Sequence, residues 1–342
     1  MNNILYLINH KTLTDFEIPL LLNKGYGVLI NKKYDSLSVN DSLNNEQNNF
    51  FYDNFLKLEP YEIKLFNEIN WFNNNIILSE EILEILNNKF KIIFITLLTN
   101  GSLLKQLKLN FKGKIYYRFF GREKTLKYDS LINKHPFTDN IGYIFSYNEI
   151  LEFEKDFFSA KNSHFIPLGL SNVFVSKYLN TWKYEDNKIC FVCSKIGKCN
   201  YYTDIYKTFI NNFNMYEYKI LGKNNKIIDN NIFNGLDDNE YYSEIKKSKL
   251  MYYHGIEPRH LHYHPLEAII IGIPIIFHRK SLLSIYLNES PGKASSIEEA
   301  KNKIEKILNN DLEFINEIIN VQNKSMKLLL QINNQNIFDP IL

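Results

Sequence analysis

A chain of 342 residues is long for a single hydrophobic core, and its 45% apolar residues are enough to build two. The formal charge of +2 is spread without a basic arm or acidic tail, which excludes the electrostatic footprint of a nucleic-acid binder. No stretch approaches the roughly 20 continuous apolar residues of a membrane span, and the start Met1-Asn2-Asn3-Ile4 does not read as a signal peptide.

Residues 4–8 read as a buried strand, 15–23 as a short helix ending before Gly25, and 27–31 as a second strand. Apolar residues recur at helical spacing over 60–72 and 79–89. The run 91–98 is almost continuously β-branched and aromatic, the pattern of a strand covered on both faces. A helix over 103–109 and strands over 115–120 and 142–146 follow. His164-Phe165-Ile166-Pro167-Leu168-Gly169-Leu170-Ser171 ends a strand and opens a connector, because Pro and Gly two apart punctuate the chain. The alternation then repeats, with strands at 188–193, 216–221 and 250–253 and helices at 202–212 and 239–247. Long helices over 296–308 and 311–331 close the chain. Strands alternating with helices predict an α/β protein with parallel sheets covered on both faces.

Cys190, Cys193 and Cys199 lie close together. A zinc site needs four ligands and no second Cys pair exists, so Cys190 and Cys193 read as small hydrophobes in a core strand of a reduced, cytosolic protein.

The most informative stretch is His264-Pro265-Leu266-Glu267-Ala268, followed by isoleucines, Gly272, Pro274 and Ile275-Ile276-Phe277. Pro265 suits a first helical turn, where an N–H has no helical partner. Glu267 falls in that turn, near the positive end of the helix dipole, and such helix starts bind anions. Upstream, Ser194-Lys195-Ile196-Gly197-Lys198 joins two point charges to a glycine, a composition suited either to phosphate or to a solvated loop. His254, His260, His262 and His264 crowd the approach to the helix; on an extended chain the last three share a face. A metal site, structural hydrogen bonding, and contact with phosphate or sugar are all open readings of that cluster. In the first half, His10 and Asp15 follow the first strand, where open α/β sheets border their ligands. Thr14 and Glu17 have capping-box spacing. Arg118 and Arg122 flank another strand end, placed for an anion or for local ion pairs.

The Pro-x-Glu-Ala helix, the Gly-x-Pro break and the apolar strand resemble the donor-binding signature of GT-B-fold glycosyltransferases, most closely the retaining family 4 type. The Ile166-Pro167-Leu168-Gly169-Leu170 connector is similar to the hinge of that family, with Leu168 and Leu170 in place of its usual Asn and Val. The resemblance implies two Rossmann-like domains facing a central cleft: an acceptor-binding domain over 1–168, a nucleotide-sugar-binding domain over 169–311, and a helix over 312–342 packing back toward the first. It implies a nucleotide-sugar donor, a glycan or lipid-linked glycan acceptor, no metal or other cofactor, and work in surface polysaccharide assembly. It further implies a cytoplasmic enzyme, free or peripheral to the inner face of the membrane.

Carried residue by residue, the resemblance makes Glu267 and His264 candidate catalytic groups and Lys195, Lys198, Gly222, His262, Pro265 and Leu266 candidate donor contacts. Their places at strand ends add Asp15 and His10 as candidates to orient or deprotonate an acceptor hydroxyl, and Arg118 and Arg122 as candidate contacts to acceptor or phosphate. The family pairs two glutamates eight positions apart; here Arg259 stands eight before Glu267, with Glu257 nearby. His264-Pro265 also resembles the phosphate-binding pair of GT-B transferases that use CMP-activated acidic sugars. That donor class, a nucleotide-sugar epimerase and a catalytically inactive GT-B partner subunit are therefore the alternatives.

Overall fold

The computed structural model describes residues 3–8, 10–31, 50–51, 58–71, 73, 75–95, 101–119, 140–146, 162–257, 260–332 and 336–342. The chain divides into two compact units, Met1–Ser171 with Ile332–Leu342, and Asn172–Gln331. Among the described residues no helix is long and apolar enough to cross a membrane.

The first unit runs β1 (Asn3–Leu7), α1 (Lys11–Asn23), β2 (Gly27–Asn31), β3 (Phe50–Phe51), α2 (Pro60–Glu68), α3 (Glu80–Lys89), β4 (Ile92–Ile95), α4 (Gly101–Asn110), β5 (Lys114–Phe119), β6 (Ile141–Phe145) and β7 (Ser163–Phe165). Its sheet has the order β3-β2-β1-β4-β5-β6-β7, parallel except for the antiparallel β3. The near-continuous apolar strands are buried along their length, as a sheet covered on both faces requires.

Helix α1 starts earlier than the predicted 15–23 because His10 caps it: the ring Nδ1 accepts from the Leu13 N–H at 3.4 Å. Thr14 therefore lies inside the helix, its hydroxyl donating to the His10 carbonyl. The expected Thr14–Glu17 capping box is not made, and Glu17 turns into the core instead. There its Oε1 accepts from Arg118 Nε at 2.7 Å and its Oε2 from the Tyr6 hydroxyl at 2.5 Å. The rest of the Arg118 guanidinium donates to the Ile166 and Phe119 carbonyls and to Ser146 Oγ. Both ionic side chains are wholly buried and hydrogen-bonded on all sides, which is the condition for tolerating such a pair.

The second unit runs α5 (Asn172–Tyr178), β8 (Ile189–Val192), α6 (Asn200–Phe213), β9 (Tyr218–Gly222), β10 (Ile232–Asn234), α7 (Asp238–Lys247), β11 (Leu250–Tyr253), α8 (His264–Ile271), β12 (Ile275–His278), β13 (Lys293–Ala294), α9 (Ile297–Leu308) and α10 (Leu312–Ile332). All its strands are parallel, in the order β10-β9-β8-β11-β12-β13. Phe191 of β8 stacks on Phe209 of α6 at 4.0 Å between ring centres. Phe314, Ile315 and Ile318 of α10 enter the same core. The helix expected to pack back toward the first half belongs to the second unit up to Gln331, and the residues after it group with the first unit. There Phe338 lies edge-on to Phe94 and the Tyr116 hydroxyl donates to the Ile341 carbonyl.

Cys190 and Cys193 are buried and free, and burial pushes the Cys190 thiol up to about 12, leaving it inert as a ligand or nucleophile.

Replacing Arg118 by Met strands the Glu17 carboxylate in the core. The expected outcome is a loss of about 3–5 kcal/mol in urea unfolding, and a loss under 1 kcal/mol would show that Glu17 finds water.

Candidate functional site

The site starts from topology. β8 and β11 pair directly, Leu250 beside Ile189 and Tyr252 beside Phe191. The chain leaves β8 through α6 toward β9 on one side, and leaves β11 through α8 toward β12 on the other. Where winding reverses, the loops after the two strands part at the carboxyl edge of the sheet, the usual place for a ligand in this architecture.

The loop after β8 carries Ser194, Lys195, Gly197 and Lys198. It is tied to the end of β9, with Ser194 Oγ accepting from the Lys223 N–H at 3.1 Å and the Lys195 N–H donating to the Lys223 carbonyl at 3.0 Å. Lys195 holds a left-handed backbone conformation (φ 59°), uncommon for a residue with a side chain. Its carbonyl accepts from both the Lys198 and Cys199 N–H groups, which fixes the turn. Among the described residues neither Lys195 nor Lys198 has an ion-pair partner, so the loop presents uncompensated positive charge. Gly222, expected at the donor, has a structural reason to be glycine. A Cβ there would stand 2.1 Å from the Cys193 carbonyl oxygen, so no larger residue fits where β9 passes this loop.

The loop after β11 supplies the imidazoles. His254 meets His262 at 5.3 Å between ring centres; His262 meets His260 at 4.0 Å and His264 at 5.1 Å. The extended-chain expectation is thus met in effect by an irregular loop, with His254 added from the strand end. Tyr253 organises the group: its hydroxyl pairs with His262 Nδ1 at 3.2 Å and accepts the His262 backbone N–H at 3.3 Å. Burial, reinforced by the neighbouring rings, pulls His254 down to about 3 and His262 and His264 well below the ordinary histidine value, so all three are neutral at pH 7. Among the described residues no three His, Cys, Asp or Glu side chains are placed to hold a metal ion.

Helix α8 follows with Pro265 in its first turn and Gly272 ending it in the left-handed region at φ 90°, a conformation glycine takes without strain. Glu267 is 5% exposed, and its Oε1 accepts from the Tyr242 hydroxyl of α7 at 3.1 Å. Burial and the adjacent Glu267 raise Tyr242, which therefore stays a donor. Phe174 and Tyr178 of α5 pack on Tyr242 at 5.1 and 4.6 Å between ring centres. Leu266, expected to touch the donor, is wholly buried and serves the packing of α8.

Sequence reasoning missed Tyr242 and the Tyr201–Glu257 hydrogen bond, which at 3.1 Å joins the start of α6 to the imidazole loop. Both link residues distant in sequence, and no local spacing announces either one.

In the first unit, His10 is the α1 cap and is pulled down to about 4, chiefly by burial. Asp15 is half exposed and paired with Lys11 at 2.6 Å on the outer face of α1. The two share one helix start, where the Asp15 charge works against the effect of burial on His10. Arg118 is not available to an acceptor or phosphate, since Glu17, Ser146 and two carbonyls consume its donors inside the core. Arg122 lies outside the described residues.

No protein-family model and no curated protein sequence matches the chain. Solved structures do. Sucrose-phosphate synthase from Thermosynechococcus elongatus aligns with a TM-score of 0.60 at 12% identity, over 98% of this chain and 97% of that one. HepE from Anabaena, solved with UDP and glucose, gives 0.57 at 10% over 98% of each. The T4 phage β-glucosyltransferase gives 0.54 at 10% over 98% of each. The fold is GT-B. Within the GT-B frame, the second unit repeats the Rossmann strand order, and its switch point is the one that gathers the lysines, the imidazoles and the start of α8.

Neutral buried histidines make the fold acid-sensitive. Unfolded, His254 titrates near 6.5; folded, near 3, so the unfolded state binds the extra proton between those values and stability falls as pH drops below 6.5. From His254 alone the expected loss between pH 7.5 and 5 is about 2 kcal/mol, read by urea unfolding, and a His254→Phe variant should show a shallower slope.

Proposed function

We propose that the chain is a glycosyltransferase, moving a sugar from a nucleotide-sugar donor to a hydroxyl acceptor. The observation that carries this reading is the meeting, at one switch point, of two lysines without ion-pair partners and the first turn of α8 with its buried Glu267. Departure of a nucleotide develops negative charge on its phosphates. Lys195, Lys198 and the positive end of α8 are the groups that would stabilise it. These ammonium groups take the part a divalent ion would otherwise play, and activity should survive dialysis against EDTA. Glu267, oriented by Tyr242, would accept hydrogen bonds from hydroxyls of the nucleotide ribose or the donor sugar. Retention of anomeric configuration, a glycan or lipid-linked glycan acceptor, surface polysaccharide assembly and a site at the cytoplasmic face of a membrane are the finer parts of the proposal. They are supported by the resemblance of the 264–277 segment to family 4.

UDP with glucose in the HepE structure, and UDP-glucose in a structure of the T4 phage enzyme, make UDP-glucose the first donor to try. Thermal shift against UDP-, GDP-, ADP- and CMP-sugars identifies the donor, since a ligand that binds only the folded state raises its melting temperature. Turnover then requires an added acceptor. Epimerisation without an acceptor, or no binding of any nucleotide, overturns the proposal.

With the donor in hand, Lys195→Ala and Lys198→Ala should each weaken nucleoside-diphosphate binding by about 1–3 kcal/mol. Unchanged affinity in the double variant would move the phosphate site elsewhere. If the donor is a CMP-sugar, His264 should matter more than either lysine.

Glu267→Gln keeps the shape and the Tyr242 hydrogen bond while removing the charge. The expected result is a tenfold or larger drop in kcat, about 1.4 kcal/mol of transition-state stabilisation, with Tm nearly unchanged. Full activity at a lowered Tm would reduce Glu267 to a helix-start residue.

A further inference from the structure

We propose that the imidazoles of His254, His262 and His264 form the subsite that reads the hydroxyl groups of the transferred sugar. The assignment rests on the donor site proposed above and goes beyond it in naming what holds the sugar ring.

His254 Nδ1, His262 Nε2 and His264 Nε2 are buried and have no hydrogen-bond partner among the described residues. Leaving one buried polar atom unpaired costs about 1–3 kcal/mol, and folded proteins rarely tolerate such atoms in groups. Three of them on adjacent rings mark a place built to receive a polar ligand.

The chemistry of the rings narrows the class. Neutral imidazole offers one N–H and one lone pair, complementary to hydroxyls, each of which both donates and accepts. Three neutral rings bring no positive charge for a phosphate, and uncompensated charge is found instead on Lys195 and Lys198 in the neighbouring loop. The rings of His254 and His264 stand 6.3 Å apart between centres, and their nitrogens do not close on a metal-holding point. A ligand with several oxygens spread across the group suits that spacing better than a single ion.

The hydrogen-bond network also fixes one ring in place. The Tyr253 oxygen accepts the His262 backbone N–H and pairs with His262 Nδ1, which leaves Nε2 as the ring nitrogen open to a ligand. His254 meanwhile lies edge-on to Phe191 of β8, at 5.6 Å between ring centres. That contact puts the imidazoles beside the strand whose exit loop carries the lysines, as a sugar joined to a diphosphate requires.

The test is isothermal titration of wild type, His254→Phe and His262→Phe with paired probes: UDP and UDP-glucose, GDP and GDP-mannose, ADP and ADP-glucose, and CMP and CMP-sialic acid. For the pair that wild type binds, the variants should lose affinity for the sugar nucleotide on the order of tenfold, while affinity for the bare nucleotide changes less than about twofold. In wild type, where folding is not in question, long-range proton–nitrogen spectra should show the imidazole signals moving with the sugar nucleotide and not with the nucleotide alone. Equal loss for both probes, no loss for either, or imidazole signals that ignore the sugar overturns this assignment alone. Absence of nucleotide binding by wild type overturns the donor reading, and this assignment falls with it.

Discussion

In the second unit two strands lie hydrogen-bonded side by side while the chain leaves them in opposite directions across the sheet. Crossovers between parallel strands keep one hand, so a change of winding direction necessarily separates the loops that follow β8 and β11. Every element of the candidate site follows from that separation. One loop is free to spend its residues on cationic side chains and a strained turn, and the other on imidazoles. The helix that opens behind the second loop directs its unpaired N–H groups toward the same sheet edge. The glycine at the end of β9 serves this arrangement indirectly, by letting a third strand end crowd against the Cys193 carbonyl and hold the lysine loop in place.

What was legible in the sequence was what local chemistry controls. Near-continuous apolar runs of about four to eight residues rich in β-branched and aromatic side chains read as strands of a sheet covered on both faces, and Pro265, Gly272 and Pro274 each restrict the backbone within a few residues. The helix start at His10 escaped because Thr14-x-x-Glu17 offers an equally good local cap, and only the tertiary partner Arg118 decides that Glu17 is wanted inside. Arg118 itself could be read as a strand-end anion contact because its partner lies 101 residues away. Strands of two residues, such as β3 and β13, carry no periodicity to detect. Tyr242 is one of two adjacent tyrosines in a polar helix, and nothing sets it apart until α8 supplies Glu267 as its partner.

The protein treats buried polarity in two ways. Arg118 and Glu17 are sealed in the first unit with a partner on each side. Lys219 in the second unit is likewise held by Asp186 at 2.6 Å and Glu244 at 2.8 Å, which raise its pKa against the opposing effect of burial. The histidines depart from that practice: His254, His262 and His264 each keep a buried ring nitrogen with no partner among the described residues. Unpartnered buried atoms elsewhere are isolated, at Asn3 Nδ2 and Asp186 Oδ1, whereas the imidazoles gather several in one place, which distinguishes a place for ligand from a place for stability.

The final segment of the chain completes both halves. Gln322 of α10 accepts from the Ile275 N–H at 3.0 Å and donates to the Ile273 carbonyl at 2.8 Å, so it bonds both sides of Pro274, which has no N–H of its own. Farther along the chain, Phe338 and Ile341 close contacts on the sheet of the first unit. Domains of a growing polypeptide usually fold in order as they leave the ribosome, the leading one first. Here the first unit lacks the contacts of Phe338 and Ile341 until the whole second unit has been synthesised, so it must wait, incomplete, through that interval. A chain interrupted within the second unit would carry two unfinished sheets rather than one finished domain.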